Sequence, residues 1–118
     1  NIPIQSLESA DPKSNVMAQS WTMGSLQVGN RWCIHPMEGW DAQPNGMASE
    51  LTLRRWQRFG ASGAKLIWGG EAAAVRADGR ANPRQTMATP KHLESLTRLR
   101  SELQAAHQTA TGGTAGLV

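Results

Sequence analysis

The sequence predicts an α/β fold built on parallel strands. Three observations carry this reading. Two short apolar runs, Arg31–Pro36 and the stretch "AKLIWGG" from Ala64, flank an amphipathic stretch of helical period. A second amphipathic stretch follows and leads into a further apolar run, "AGLV", at Ala115. Strand–helix–strand units of this length form parallel sheets through crossover connections.

Each element has its local signals. Residues 1–19 are polar, are broken by Pro3 and Pro12, and read as an N-terminal arm. From Ser20 to Trp32 two short runs surround Gly24-Ser25, which predicts a hairpin. Arg31–Pro36 follows as a strand. The loop "DAQPNGMASE" then leads to Ser49, a helix-capping hydroxyl, and to Glu50, a charge suited to a helix N-terminus. The spacing predicts a helix over Glu50–Phe59, with Leu53, Trp56 and Phe59 on its apolar face and Gly60 as its stop. Turn signals at Asp78-Gly79 and Asn82-Pro83 mark a long connection after the second strand. Thr89-Pro90 predicts a second helix start. Its apolar stripe is Leu93, Leu96, Leu99, Leu103 and Ala106, ending near His107.

The composition is that of one globular domain: 118 residues, 39% hydrophobic and 18% charged. No window approaches the ~18 apolar residues of a membrane span, and no basic-then-apolar leader opens the chain. The lone Cys33 excludes an intrachain disulfide and fits a reducing, cytoplasmic compartment. Parallel strands are buried on both faces. Two strands and the start of a third need more cover than two helices give, so the pattern predicts the N-terminal part of a larger α/β protein.

At this point four pieces, in order, resemble one family. "WTMGSLQVGNRWCIHPM" is similar to the opening of the Old Yellow Enzyme family, the FMN-dependent NADH:flavin oxidoreductases and ene-reductases, through Gly24-Ser25-Leu26, Asn30-Arg31 and Pro36-Met37. "SELTLRRWQRFGASGAKLI" resembles its first barrel helix and the approach to the second strand. "GGEAAAVRADGRANP" resembles the second strand end and its loop, through Val75, Gly79-Arg80 and Asn82-Pro83. The resemblance covers about residues 21–118.

The resemblance implies a (β/α)8 TIM barrel, of which residues 20–118 supply the base-capping hairpin, two βα units and the start of a third strand. Such barrels need about 250 residues and carry their chemistry at the C-terminal ends of the strands. It implies FMN as cofactor, NAD(P)H as reductant and a small electron-poor substrate such as an activated alkene, with no nucleic-acid or membrane partner. Pro36, Met37 and Glu38 match the segment whose backbone lies along the flavin, and Ala72 matches the small residue packed beside it. Glu38 departs from the family pattern, where Thr, Cys or another small residue is usual. An ionised Glu38 would lower the flavin's reduction potential, and a neutral one would donate a hydrogen bond. The catalytic residues are expected beyond Val118, which leaves the chain alone inactive.

Other residues have plainer readings. Cys33 and His35 share a strand face, but without a second ligand pair they read as core rather than as a zinc site. Trp40 is expected at the flavin mouth, and Trp56 and Trp68 in packing. "GGEAAA" lacks the Lys and the spacing of a phosphate loop. The net charge of +3 leaves one alternative, a small basic module that binds nucleic acid or another anionic partner. The arginines are scattered, however, and read as solvated faces.

Overall fold

The structure, a computed structural model, describes residues 15–118; the predicted arm lies outside the described residues up to position 14. The chain folds as an α/β domain. Strands β1 (Trp21–Met23) and β2 (Leu26–Val28) form an antiparallel hairpin. Its tip is Gly24-Ser25, where Gly24 takes a positive φ of 61° that a side chain would resist. Strand β3 (Cys33–Ile34) and strand β4 (Leu66–Ile67) pair in parallel, with Cys33 opposite Leu66 and Ile34 opposite Ile67. Helix α1 (Glu50–Ala61) connects them, and helix α2 (Leu93–Thr111) follows β4.

A third strand position is occupied. The Val118 N–H donates to the Lys65 carbonyl at 2.8 Å, and Val118 O accepts from the Ile67 N–H at 2.8 Å. That alternation is one parallel ladder step beside β4; Ala115-Gly116 is a turn, so of the "AGLV" run Val118 alone takes part in it.

Strand β3 is shorter than the Arg31–Pro36 run. Trp32 O and Ile34 O accept from β4, and Pro36 has no N–H to continue a ladder. Asn30 fastens its entrance. The side-chain amide donates to Gly63 O at 2.8 Å, while its oxygen accepts from the N–H groups of Trp32 and Lys65. One side chain thus joins the hairpin, the start of β3 and the loop before β4.

Helix α1 starts at the expected cap. Ser49 Oγ accepts from the Leu51 and Thr52 N–H groups, and Thr52 Oγ1 accepts from the Ser49 N–H, closing a capping box. The helix does not stop at Gly60. It runs to Ala61, and Gly63 with φ 78° makes the exit. Gly60 is instead the point of closest approach to α2, where an added Cβ would lie 2.1 Å from Leu103 O. The core of the two helices is Leu53, Trp56, Leu99 and Leu103, with Phe59, Leu96 and Ile67 packed against it.

The start of α2 also differs from expectation. Thr89 makes no cap to a backbone N–H; its hydroxyl bonds His92 Nδ1 at 2.7 Å. A 3-10 turn over Pro90–His92 rotates the register, so His92 is buried and Leu93 is 65% exposed. The buried stripe is His92, Leu99, Leu103 and His107, with Leu96 half-buried. The helix continues past His107 to Thr111 and ends at Gly112 in the left-handed region.

Two packing expectations fail on the sheet. Ile67 is the β4 residue that meets the helices, so Leu66 and Trp68 alternate to the opposite face with Cys33 and His35. The hairpin reaches the Cys33–Leu66 end of that face, where Trp21 lines a pocket with both, and the His35–Trp68 end is open. Cys33 is half-buried, His35 is exposed and Trp68 is 60% exposed. Trp56 packs as expected.

Replacing Gly60 with Ala should destabilise the fold by about 1–3 kcal/mol, because overpacking against the Leu103 carbonyl exceeds the ~1 kcal/mol gain in helix propensity. Urea unfolding checks this; an unchanged or raised midpoint contradicts it. Asn30→Ala should cost about 1–2 kcal/mol in the same assay, since the part-buried Lys65 N–H and Gly63 carbonyl lose their partner.

Candidate functional site

The parallel strands run side by side and leave Pro36–Gly39 against Gly69–Ala72. The Ala72 N–H donates to Met37 O at 3.0 Å, which joins the two exits beyond the strands themselves. Pro36, Met37, Glu38 and Ala72 are thereby brought to one edge. A Cβ added at Gly69 would sit 3.7 Å from the Pro36 ring. Gly69 and Gly70 both take positive φ, at 72° and 60°, and let the chain bend after Trp68.

A charged network fixes this edge from behind. Glu71, at the exit of β4, has its side chain 2% exposed. Its Oε1 accepts from the Gly39 N–H at 3.1 Å, and its Oε2 accepts from Arg55 Nη2 at 2.7 Å. Arg55 comes from α1 and also donates to both oxygens of Asp41, from Nε at 2.8 Å and Nη2 at 2.9 Å. Thr52 Oγ1 donates to Asp41 Oδ1 at 3.2 Å. The Ser49 hydroxyl donates to the Asp41 carbonyl, which ties the same loop to the helix cap.

The electrostatics follow from these bonds. The Arg55 hydrogen bonds hold the Asp41 carboxyl below its usual range, against the opposing effect of burial. The bond to Asp41 is likewise the main reason Arg55 is held cationic more firmly than an ordinary arginine, with Glu71 adding to it and burial opposing. Gly39 is required by this network: a Cβ there would lie 2.3 Å from Arg55 Nη2.

Glu38 is exposed at this edge and bonds to the loop after β4. Its Oε1 accepts from Asn82 Nδ2 at 2.5 Å, and the same amide reaches Gly39 O at 3.3 Å. Asn82 is 4% exposed and is held by the Arg84 N–H donating to its Oδ1 at 2.8 Å. Gln85 Nε2 donates to Ala72 O at 2.7 Å. The loop after β4 thus folds back over both strand ends. Arg80 fastens that loop by donating to the carbonyls of Pro44, Pro83 and Gln85.

These bonds define what the edge can still offer. The Met37 carbonyl, the Gly39 N–H and both backbone groups of Ala72 are engaged within the chain. Among the described residues, the N–H groups of Met37 and Glu38 and the carbonyls of Pro36 and Glu38 have no partner. They are two donors and two acceptors on one extended segment, beside exposed Met37. Trp40 is 66% exposed. Among the described residues no group of three or more His, Cys, Asp or Glu could hold a metal, and Cys33 with His35 forms no such site. No helix of the described residues is long and apolar enough to cross a membrane.

The network residues Asp41, Arg55 and Glu71 were not singled out by pattern. Arg55 carried a signal all the same: Thr52, Arg55, Trp56 and Phe59 follow the i, i+3, i+4, i+7 spacing of a buried face. Glu71 stands alone between an apolar run and "AAA".

Removing Arg55 with Arg55→Ala leaves the Glu71 carboxylate buried without its cation and should cost about 3 kcal/mol. Chemical denaturation reads this, and a loss under about 0.5 kcal/mol contradicts it. Asp41 sets an acid dependence. Its folded pKa is depressed, so its contribution is complete above the ordinary aspartate range and is lost as pH falls through the lowered folded value. Asp41→Asn should therefore flatten stability against pH below about pH 4; an unchanged acid slope contradicts this. Set against models of known protein families and against curated proteins, the chain matches none.

Proposed function

We propose that this chain forms the first wall of an FMN-dependent oxidoreductase of the Old Yellow Enzyme type, with Pro36, Met37, Glu38 and Ala72 along the flavin. The observation that carries the reading is the convergence of two parallel strand ends. Their exits are joined at Ala72 and Met37, at the end where barrels of this class place their chemistry. The position of Val118 beside β4 adds a third parallel strand start in barrel order. The exposure of His35 and Trp68 on one face of the sheet supports the same reading, because a parallel sheet requires cover on both faces.

The free backbone groups fit an isoalloxazine edge, which presents both donors and acceptors. Bound FMN would supply a hydride carrier between NAD(P)H and an electron-poor substrate such as an activated alkene. The chain's own part is positional. The Met37 and Glu38 N–H groups would donate to the ring edge, and the Pro36 carbonyl would accept from it. Ala72 would let the backbone approach a flat ring. The Arg55 network would hold Gly39, and through it the free segment, against displacement.

The alternative, binding of an anionic polymer through the arginines, has less support. Arg55, Arg76 and Arg80 are spent on Asp41, Glu71, Asp78 and backbone carbonyls. Nucleic-acid binding that weakens steeply with salt would favour that alternative over the flavin reading.

The test is an absorption spectrum of the purified protein that carries this chain, before and after NADH or NADPH. The flavin reading expects oxidised-flavin bands that bleach on addition of the reductant. A colourless protein that takes up no added FMN overturns it. Within a flavin-bound protein, Glu38→Gln should raise the reduction potential by about 30 mV, a tenfold effect for a two-electron couple. An unchanged potential and pH profile would remove Glu38 from any tuning role.

A further inference from the structure

His107 is a fully buried histidine at 0% exposure, far along α2 from the strand exits. Its Nδ1 lies 3.0 Å from Gly60 O, and its Nε2 lies 2.8 Å from Lys65 Nζ. The first contact fixes the tautomer. A carbonyl oxygen accepts only, so Nδ1 carries the proton. Nε2 is then the lone-pair side and accepts from the Lys65 ammonium. A second ring proton would point an N–H at the Lys65 ammonium.

The lysine stands at a junction of four segments. Its stem packs over Gly29, with Cγ 3.0 Å from where a Cβ would be. Its N–H donates to Asn30 Oδ1 and its carbonyl accepts from the Val118 N–H. Gly29 in turn donates to Gly116 O at 2.9 Å. The Lys65 contact therefore joins α2 to the hairpin exit, to β4 and to the last strand start. Among the described residues, Lys65 is the titratable side chain in contact with the His107 ring. The charged neighbours on the two helices, Arg58 and Glu102, line the outer groove between them, where Glu102 accepts from Gln57.

We propose that the Lys65–His107 contact is an acid-sensitive latch that holds residues 112–118 against Gly29 and β4. Proton uptake by His107 sets two cationic donors face to face and opens the latch. The open form binds more protons than the closed form, so the latch is secure at high pH and weakens as pH falls. The opening unpairs the Gly116 carbonyl and the Val118 ladder step while leaving the Arg55 network, at the other end of the strands, in place.

The test follows the glycine amides of Gly29, Gly112, Gly113 and Gly116 by 1H–15N correlation spectra between about pH 8 and pH 5, where histidine charge changes occur. The expected result is loss or shift of these signals together, tracked by the ring nitrogens of His107 passing from one proton to two. His107→Gln keeps a donor for Gly60 and an acceptor for Lys65 and should abolish the transition. Lys65→Met keeps the stem over Gly29 but removes the facing cation, so ring protonation should move to higher pH and no longer be coupled to the glycine signals. Glycine signals that stay fixed across the range overturn the proposal. So does the same transition in His107→Gln, or, where that variant fails to fold, a ring that gains its proton with no change in the glycines.

Discussion

Arg55 is the constraint on which the strand-exit edge depends. One guanidinium satisfies the carboxylate of Asp41 in the loop after β3 and that of Glu71 after β4. Without it, the two segments would be held by the Ala72–Met37 backbone bond, the Glu71–Gly39 bond and the Asn82 amide, and the Glu71 charge would lose its cation. Because Glu71 is almost wholly buried, its charge is costly unless it is paired, and the pairing is therefore obligatory rather than decorative. The second oxygen of Glu71 extends the constraint to the Gly39 N–H. A loop that would otherwise be mobile becomes a fixed edge with its free donors and acceptors in line.

The helices make that geometry attainable. Gly60 lets α1 and α2 approach to backbone contact, and the approach places Arg55 at the margin of the buried face, between the core and the strand exits. The opposite end of the strands is fixed by a different chemistry. There Asn30 and Lys65 gather the hairpin, the strand entrances and the last residues through neutral hydrogen bonds and one lysine–histidine contact. The two ends thus rest on different groups: a carboxylate network at the exits, an imidazole and an amide at the base.

Much of the order of elements was legible in the sequence. The hairpin tip at Gly24-Ser25, the cap at Ser49 and the parallel pairing follow from local signals whose causes are local. The misreadings came from tertiary contact. Gly60 has the low helix propensity of a stop, yet it lies within the helix because Leu103 presses against it. Thr89 has the form of a cap but gives its hydroxyl to His92. Trp68 reads as core, yet it sits 60% exposed at the open end of its sheet face. Pro36, Met37, Glu38 and Ala72 were expected through the family resemblance, and the structure brings them to one edge. Asp41 and Glu71 were not, because ion pairs across loops leave no periodic trace, and Arg55 left only its place on the buried helix face. Glu38 shows the same limit: its partner lies 44 positions away.

The most direct measurement is an amide-resolved titration of the 15N-labelled protein that carries this chain with FMN. The account expects the largest shifts at the Met37 and Glu38 N–H groups, which are free, with smaller ones at Gly39 and Ala72, which are already bonded. Saturating FMN that leaves Met37 and Glu38 unmoved, or that moves the helix arginines instead, would contradict the assignment of this edge to a flavin.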